Sequence, residues 1–137
     1  MPKRVRGSRR ADSRNPSRAA RFERLVDRAL AGIPEPFRGS LDEVAIVVED
    51  EPSDAQLRDN GLSVDESMYG LYEGVPRTEW AAAYALSPNK ITLFRGPLED
   101  DFPDPAELEE EVRITVVHEL AHHLGIDDDR LDELGAG

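Results

Sequence analysis

No cysteine occurs in the chain, so disulfides, iron–sulfur clusters, thiol nucleophiles and cysteine-ligated zinc are all excluded. Any metal must be held by histidine, aspartate or glutamate. No apolar run approaches the roughly 18 residues needed to span a bilayer, which excludes a transmembrane helix; no membrane partner is expected. The start, Met1-Pro2-Lys3-Arg4-Val5-Arg6, runs into further arginine without the apolar stretch of a secretory leader; a cytoplasmic location is expected. What remains is a polar globular composition, 39% hydrophobic and 34% charged over 137 residues. That suits one modest core and one domain with a tail.

The net charge of −12 divides unevenly. Residues 1–38 carry 11 bases against four acids, a net of +7, and the remainder carries six bases against 25 acids, a net of −19. An acidic body repels phosphate over most of its surface, so nucleic acid is disfavoured except through the basic tail. The Gly, Ser, Asn and Pro content of the first residues, with almost nothing apolar, predicts a solvated flexible tail over 1–17. The domain then occupies 18–137, and a monomer is expected.

Local signals place the elements. Ser17 is positioned to cap a helix running to about Ala31, with Phe22, Leu25, Val26, Ala29 and Leu30 on one stripe. Gly32 and Pro34-Glu35-Pro36 end it. Glu43 to Glu49 is β-branched and apolar on both faces, which predicts an inner strand. Residues 50–70 read as a turn or short helix, Leu71-Tyr72 as a short strand, and Lys90 to Arg95 as a strand before Gly96-Pro97. Trp80 to Leu86 stays open between helix and strand.

The best-specified element is the last helix. Asp104 sits at the N-cap position, Pro105 at the first helical position, and Glu107 completes an Asp-x-x-Glu capping box. Leu108, Val112, Val116, Leu120 and Leu124 repeat every four residues, and Val117 and Ala121 widen the stripe. Gly125 supplies the left-handed stop. From Pro105 to Leu124 this helix spans roughly 30 Å, the width of a small domain.

At its end the chain reads His118-Glu119-Leu120-Ala121-His122-His123-Leu124-Gly125-Ile126-Asp127-Asp128-Asp129. Residues four apart on a helix share a face, so His118 and His122 can converge on one ion. Glu119 can lean towards water at that ion. The break at Gly125 returns the chain and brings an acid of the 127–129 run back as a third ligand. By spacing that acid is Asp128, with Asp127 and Asp129 as its neighbours and alternatives. His123 points about 100° away from His122 and lies behind the ligands or in solvent.

This segment resembles the zincin metallopeptidases, and among them the Asp-zincins with their HExxHxxGxxD signature. It is most similar to a small bacterial family of mini-zincins, through HHLG after the first HE, Gly70-Leu71-Tyr72-Glu73-Gly74-Val75-Pro76, and Ile91-Thr92-Leu93-Phe94-Arg95-Gly96-Pro97. The resemblance implies an α+β fold, a small mixed sheet packed against a backing helix and the active-site helix. It implies Zn²⁺ held by His118, His122 and Asp128, with Glu119 as general base. It also implies an edge strand beside the metal along which a peptide aligns; here that strand would be Ile91–Arg95. Tyr72, Tyr84, His123 and Arg130 are candidates for a second electrophile.

The expected activity is zinc-dependent peptide hydrolysis. Only nine residues follow Asp128 in this sequence, so neither a metzincin Met-turn nor a lower cleft wall is expected. Short or extended peptides, rather than folded proteins, are therefore the expected substrates. Two other classes compete. One is a metal-binding but inactive zincin that serves as a binding module. The other is an adaptor acting through residues 3–18, with the zinc purely structural.

Overall fold

A computed structural model describes residues 3–5, 16–74 and 89–126. In chain order the elements are β1 (Lys3–Val5), α1 (Pro16–Ala31), a 3₁₀ helix (Arg38–Glu43), β2 (Ala45–Glu49), α2 (Asp54–Asp59), β3 (Glu66–Met68), β4 (Gly70–Glu73), β5 (Lys90–Phe94), α3 (Arg95–Asp101) and α4 (Pro105–His123). This is a mixed α+β fold consistent with a minimal zincin-like architecture.

Among the described residues, a three-stranded sheet in the order β2-β5-β4 forms the floor. β2 runs parallel to β5 and β4 antiparallel to it. The central strand is thus β5, not the Glu43–Glu49 segment. β2 starts only at Ala45, flanks the sheet and is nowhere fully buried; its apolar run reflects Ile46 and Val48 packing against the core from the sheet's margin. The expected edge strand Ile91–Arg95 is corrected in the same way. β5 has a partner on both sides, and β4 is the strand next to the last helix.

Alternation along the strands builds two apolar layers. Ile91 and Leu93 of β5 enter the main core with Phe22, Leu25, Val26 and Ala29 of α1 and Leu108, Val112, Val116, Val117, Leu120 and Ala121 of α4. Phe94 and Leu71 join Leu57 and Met68 in a smaller cluster. Burying each Leu, Ile or Val in full contributes about 1.5–3 kcal/mol of transfer free energy, so the α1–α4–β5 layer is the chief source of stability. The backing helix is α1, which packs on α4.

Three local differences have simple causes. α1 begins at Pro16 rather than after Ser17, because proline's fixed φ suits the first helical position. Gly96-Pro97 lies inside α3 instead of ending β5 in a turn, since proline is tolerated in a first helical turn. Lys3–Val5 pairs antiparallel with Glu66–Met68, a contact not anticipated for a polar tail; strand pairing runs through main-chain groups and needs no apolar side chains. Residues 75–88, with Trp80 to Leu86, lie outside the described residues.

Gly70 lets β4 approach α4 closely. A Cβ added there would lie 2.6 Å from Thr115 Cγ2 and 3.3 Å from the Thr92 carbonyl oxygen. Any larger residue would push the strand off the helix at the point where the candidate site begins.

Candidate metal centre

α4 delivers the site, and its ends are set by local chemistry. The Asp104 side chain accepts a hydrogen bond from the Glu107 N–H at 3.0 Å, and Pro105 follows it. At the other end Leu124 is the C-cap and Gly125 takes φ 74°. The Gly125 N–H donates to the His122 carbonyl at 3.0 Å and the Ile126 N–H to the Ala121 carbonyl at 2.8 Å. These two bonds are a Schellman motif, and Ile126 packs against the main core behind it. The chain therefore turns sharply at Gly125, three residues beyond the second histidine of the pair.

His118 and His122 lie side by side, their ring centroids 5.7 Å apart and their planes at 68°. His118 is half-buried and His122 exposed, so the pair sits at the surface end of the helix. Glu119, between them in sequence, is fully buried. Its Oε1 accepts a hydrogen bond from the Tyr72 N–H of β4 at 2.9 Å and lies 3.3 Å from His122 Nδ1. Its Oε2 is buried and has no hydrogen-bond partner among the described residues. A buried carboxylate oxygen without a donor is costly; the arrangement leaves one oxygen held and the other open.

His123 is neither exposed nor part of the surface pair. It is fully buried, with Nε2 2.7 Å from Glu43 Oε1 and Nδ1 3.1 Å from the Tyr72 hydroxyl. Tyr72 thus meets α4 twice, through its N–H at Glu119 and through its hydroxyl one turn later. Glu43 and the Tyr72 N–H carry no signal in the sequence. Glu43 belongs to a segment that reads as strand, and a main-chain donor is invisible to residue identity.

Two neighbouring imidazoles suit a borderline divalent ion such as zinc, whose customary ligands also include a carboxylate. Among the described residues, no three His, Asp or Glu side chains gather around one point. The structure supplies the two imidazoles. Asp128, like Asp127 and Asp129, lies outside the described residues, as do Tyr84 and Arg130.

A family model described as zincin-like metallopeptidase matches residues 41–137. No curated protein matches the chain.

Proposed function

This chain belongs to the zincin-like metallopeptidase family, and we propose that it hydrolyses peptide bonds as a zinc enzyme of the Asp-zincin type. His118, His122 and Asp128 would hold the ion, and Glu119 would be the general base. Membership itself supports a metallopeptidase acting on peptides; the ligand set and the role of Glu119 are our reading.

The observation that carries it is the state of the Glu119 carboxylate. One oxygen is pinned by a main-chain N–H of the neighbouring strand and the other is buried with no hydrogen-bond partner among the described residues. It lies one residue from one histidine of the pair and three from the other. Stability alone gives no reason for such an arrangement, whereas proton transfer requires an oriented carboxylate with an open oxygen. Zinc at the imidazoles supplies Lewis acidity, acidifying water and polarising a carbonyl. Glu119 Oε2 accepts the proton of the attacking water and then returns it to the leaving amine, while the Tyr72 N–H keeps Oε1 in place through both transfers. His122 Nδ1 lies 3.3 Å from that carboxylate, so Nε2 is the ring nitrogen that would be left to hold the ion. The Schellman turn at Gly125 reverses the chain two residues before Asp127, which supports an acid of that run as third ligand.

Substrates are short or extended peptides in this reading. No helix among the described residues is long and apolar enough to cross a membrane. Metal analysis of the purified protein and cleavage of a peptide library, each with and without chelator, test the proposal. The expected result is zinc near one equivalent and chelator-sensitive cleavage. His118→Ala should lose both, and Glu119→Gln should keep zinc and lose cleavage. Normal turnover by Glu119→Gln would refute its role; tight zinc with no cleavage of any peptide would favour an inactive binding module.

A further inference from the structure

We propose that Glu43, His123 and Tyr72 form a positioning relay, centred on buried His123, that sets the Glu119 carboxylate, an inference that rests on the base role given to Glu119 above. None of the three need touch the substrate or the ion.

The argument starts from hydrogen-bond capacity. A neutral imidazole offers one donor and one acceptor, and both ring nitrogens of fully buried His123 have partners. A carboxylate only accepts, so the 2.7 Å contact with Glu43 Oε1 places the ring hydrogen on Nε2. Nδ1 is then the acceptor, and the Tyr72 hydroxyl donates to it across 3.1 Å. The relay has one direction, from Tyr72 O–H to His123 and from His123 N–H to Glu43. Its partners come from three separate elements: β4, α4 and the 3₁₀ helix before β2.

The consequence concerns Tyr72. With its hydroxyl held at residue 123 and its N–H bonded to Glu119 Oε1, the residue is clamped to two successive turns of α4. Its only hydroxyl hydrogen is committed to His123, which removes it from the candidate donors to a substrate oxygen. Holding a strand against a helix does not call for a fully buried histidine joined to two partly buried polar groups, because apolar packing does so without desolvation cost. A fully paired polar network instead selects one arrangement, and the group it orients is the main-chain donor on the Glu119 carboxylate.

Tyr72→Phe tests this by deleting one oxygen while keeping the ring and the N–H. Glu43→Ala removes the far end, and Glu43→Gln retains an acceptor. In the zinc-loaded protein, Tyr72→Phe and Glu43→Ala should lower kcat roughly tenfold or more, leave KM and zinc affinity near wild type, and leave Glu43→Gln largely rescued. Without substrate, nitrogen NMR should find His123 in the Nε2–H form in the wild type. Hydrogen exchange of the Tyr72 amide should quicken about tenfold in Tyr72→Phe. An unchanged Tyr72 amide and unchanged kcat in Tyr72→Phe would overturn the relay, as would equal losses in stability and activity with kcat per folded molecule intact. If the wild type cleaves nothing while the amide and tautomer respond as expected, the hydrolase reading fails and the relay's hold on Glu119 stands. Tyr72→Phe carries the test alone if Glu43→Ala does not fold.

Discussion

The two halves of α4 use the same helical face for different purposes. In the first half, Leu108 and Val112 bury the stripe, while Glu107 and Glu110 stand in solvent. Asp104 caps the start and the early acids oppose the helix dipole. The Glu110 carboxyl is held below its usual range by a hydrogen bond from the Arg113 guanidinium. In the second half that buried stripe carries Glu119 and His123, both fully enclosed. The first half obeys the rules that stabilise a helix; the second breaks them by enclosing a carboxylate with an open oxygen. Local inconsistency of this kind, inside an otherwise consistent helix, is what the role proposed for Glu119 would require.

The comparison makes graded predictions. Glu119→Gln should lower peptide cleavage by about 10²–10⁴-fold. It should also raise the melting temperature of the metal-free protein, since a neutral amide is cheaper to enclose than a carboxylate. A fall in melting temperature would mean that Glu119 belongs with the structural half. Leu120→Ala, at a fully buried core position, should cost about 2–5 kcal/mol in urea unfolding. Asp104→Ala should cost about 1 kcal/mol with activity per folded molecule unchanged; a selective loss of activity would show that the two halves are coupled.

The smallest effect is at Glu111, half-buried on the same helix. Burial, then the neighbouring Glu110 charge, pushes its carboxyl above the usual range. Its contribution is therefore present below the unfolded carboxylate pKa and is lost as pH rises through the raised folded value. Glu111→Gln should gain a few tenths of a kcal/mol at neutral pH after solvent screening. That gain should vanish below about pH 4, read by unfolding at the two pH values.

Much of α4 was legible beforehand. The N-cap at Asp104, Pro105 at the first position and the stop at Gly125 all stand where spacing put them. The Asp104 half of the capping box formed, through the Glu107 N–H. A reciprocal box appears instead at Ser53 and Gln56 of α2, in a stretch whose polarity gave only a turn or short helix. β4 and β5 were placed within about a residue, yet their order in the sheet was not. Apolar runs report burial, and a flanking strand with one covered face looks much like a central one. For His123 the sequence sets the angle on the helix, which places it in solvent or behind the ligands, but not Glu43 and Tyr72, the neighbours that fill that angle.

Short-range regularities alone determined the helix, its caps, the turn beyond it and the side-by-side placement of His118 and His122, because each depends on residues three or four apart. Tertiary structure decided that Glu119 is enclosed, that the Tyr72 N–H pins it, and that Glu43 reaches His123. Tyr72 and Glu119, Tyr72 and His123, and Glu43 and His123 are separated by 47, 51 and 80 residues along the chain. Contacts at such separations leave no periodic trace, since they exist only once α4 has packed onto the sheet and brought distant main-chain and polar groups to one place.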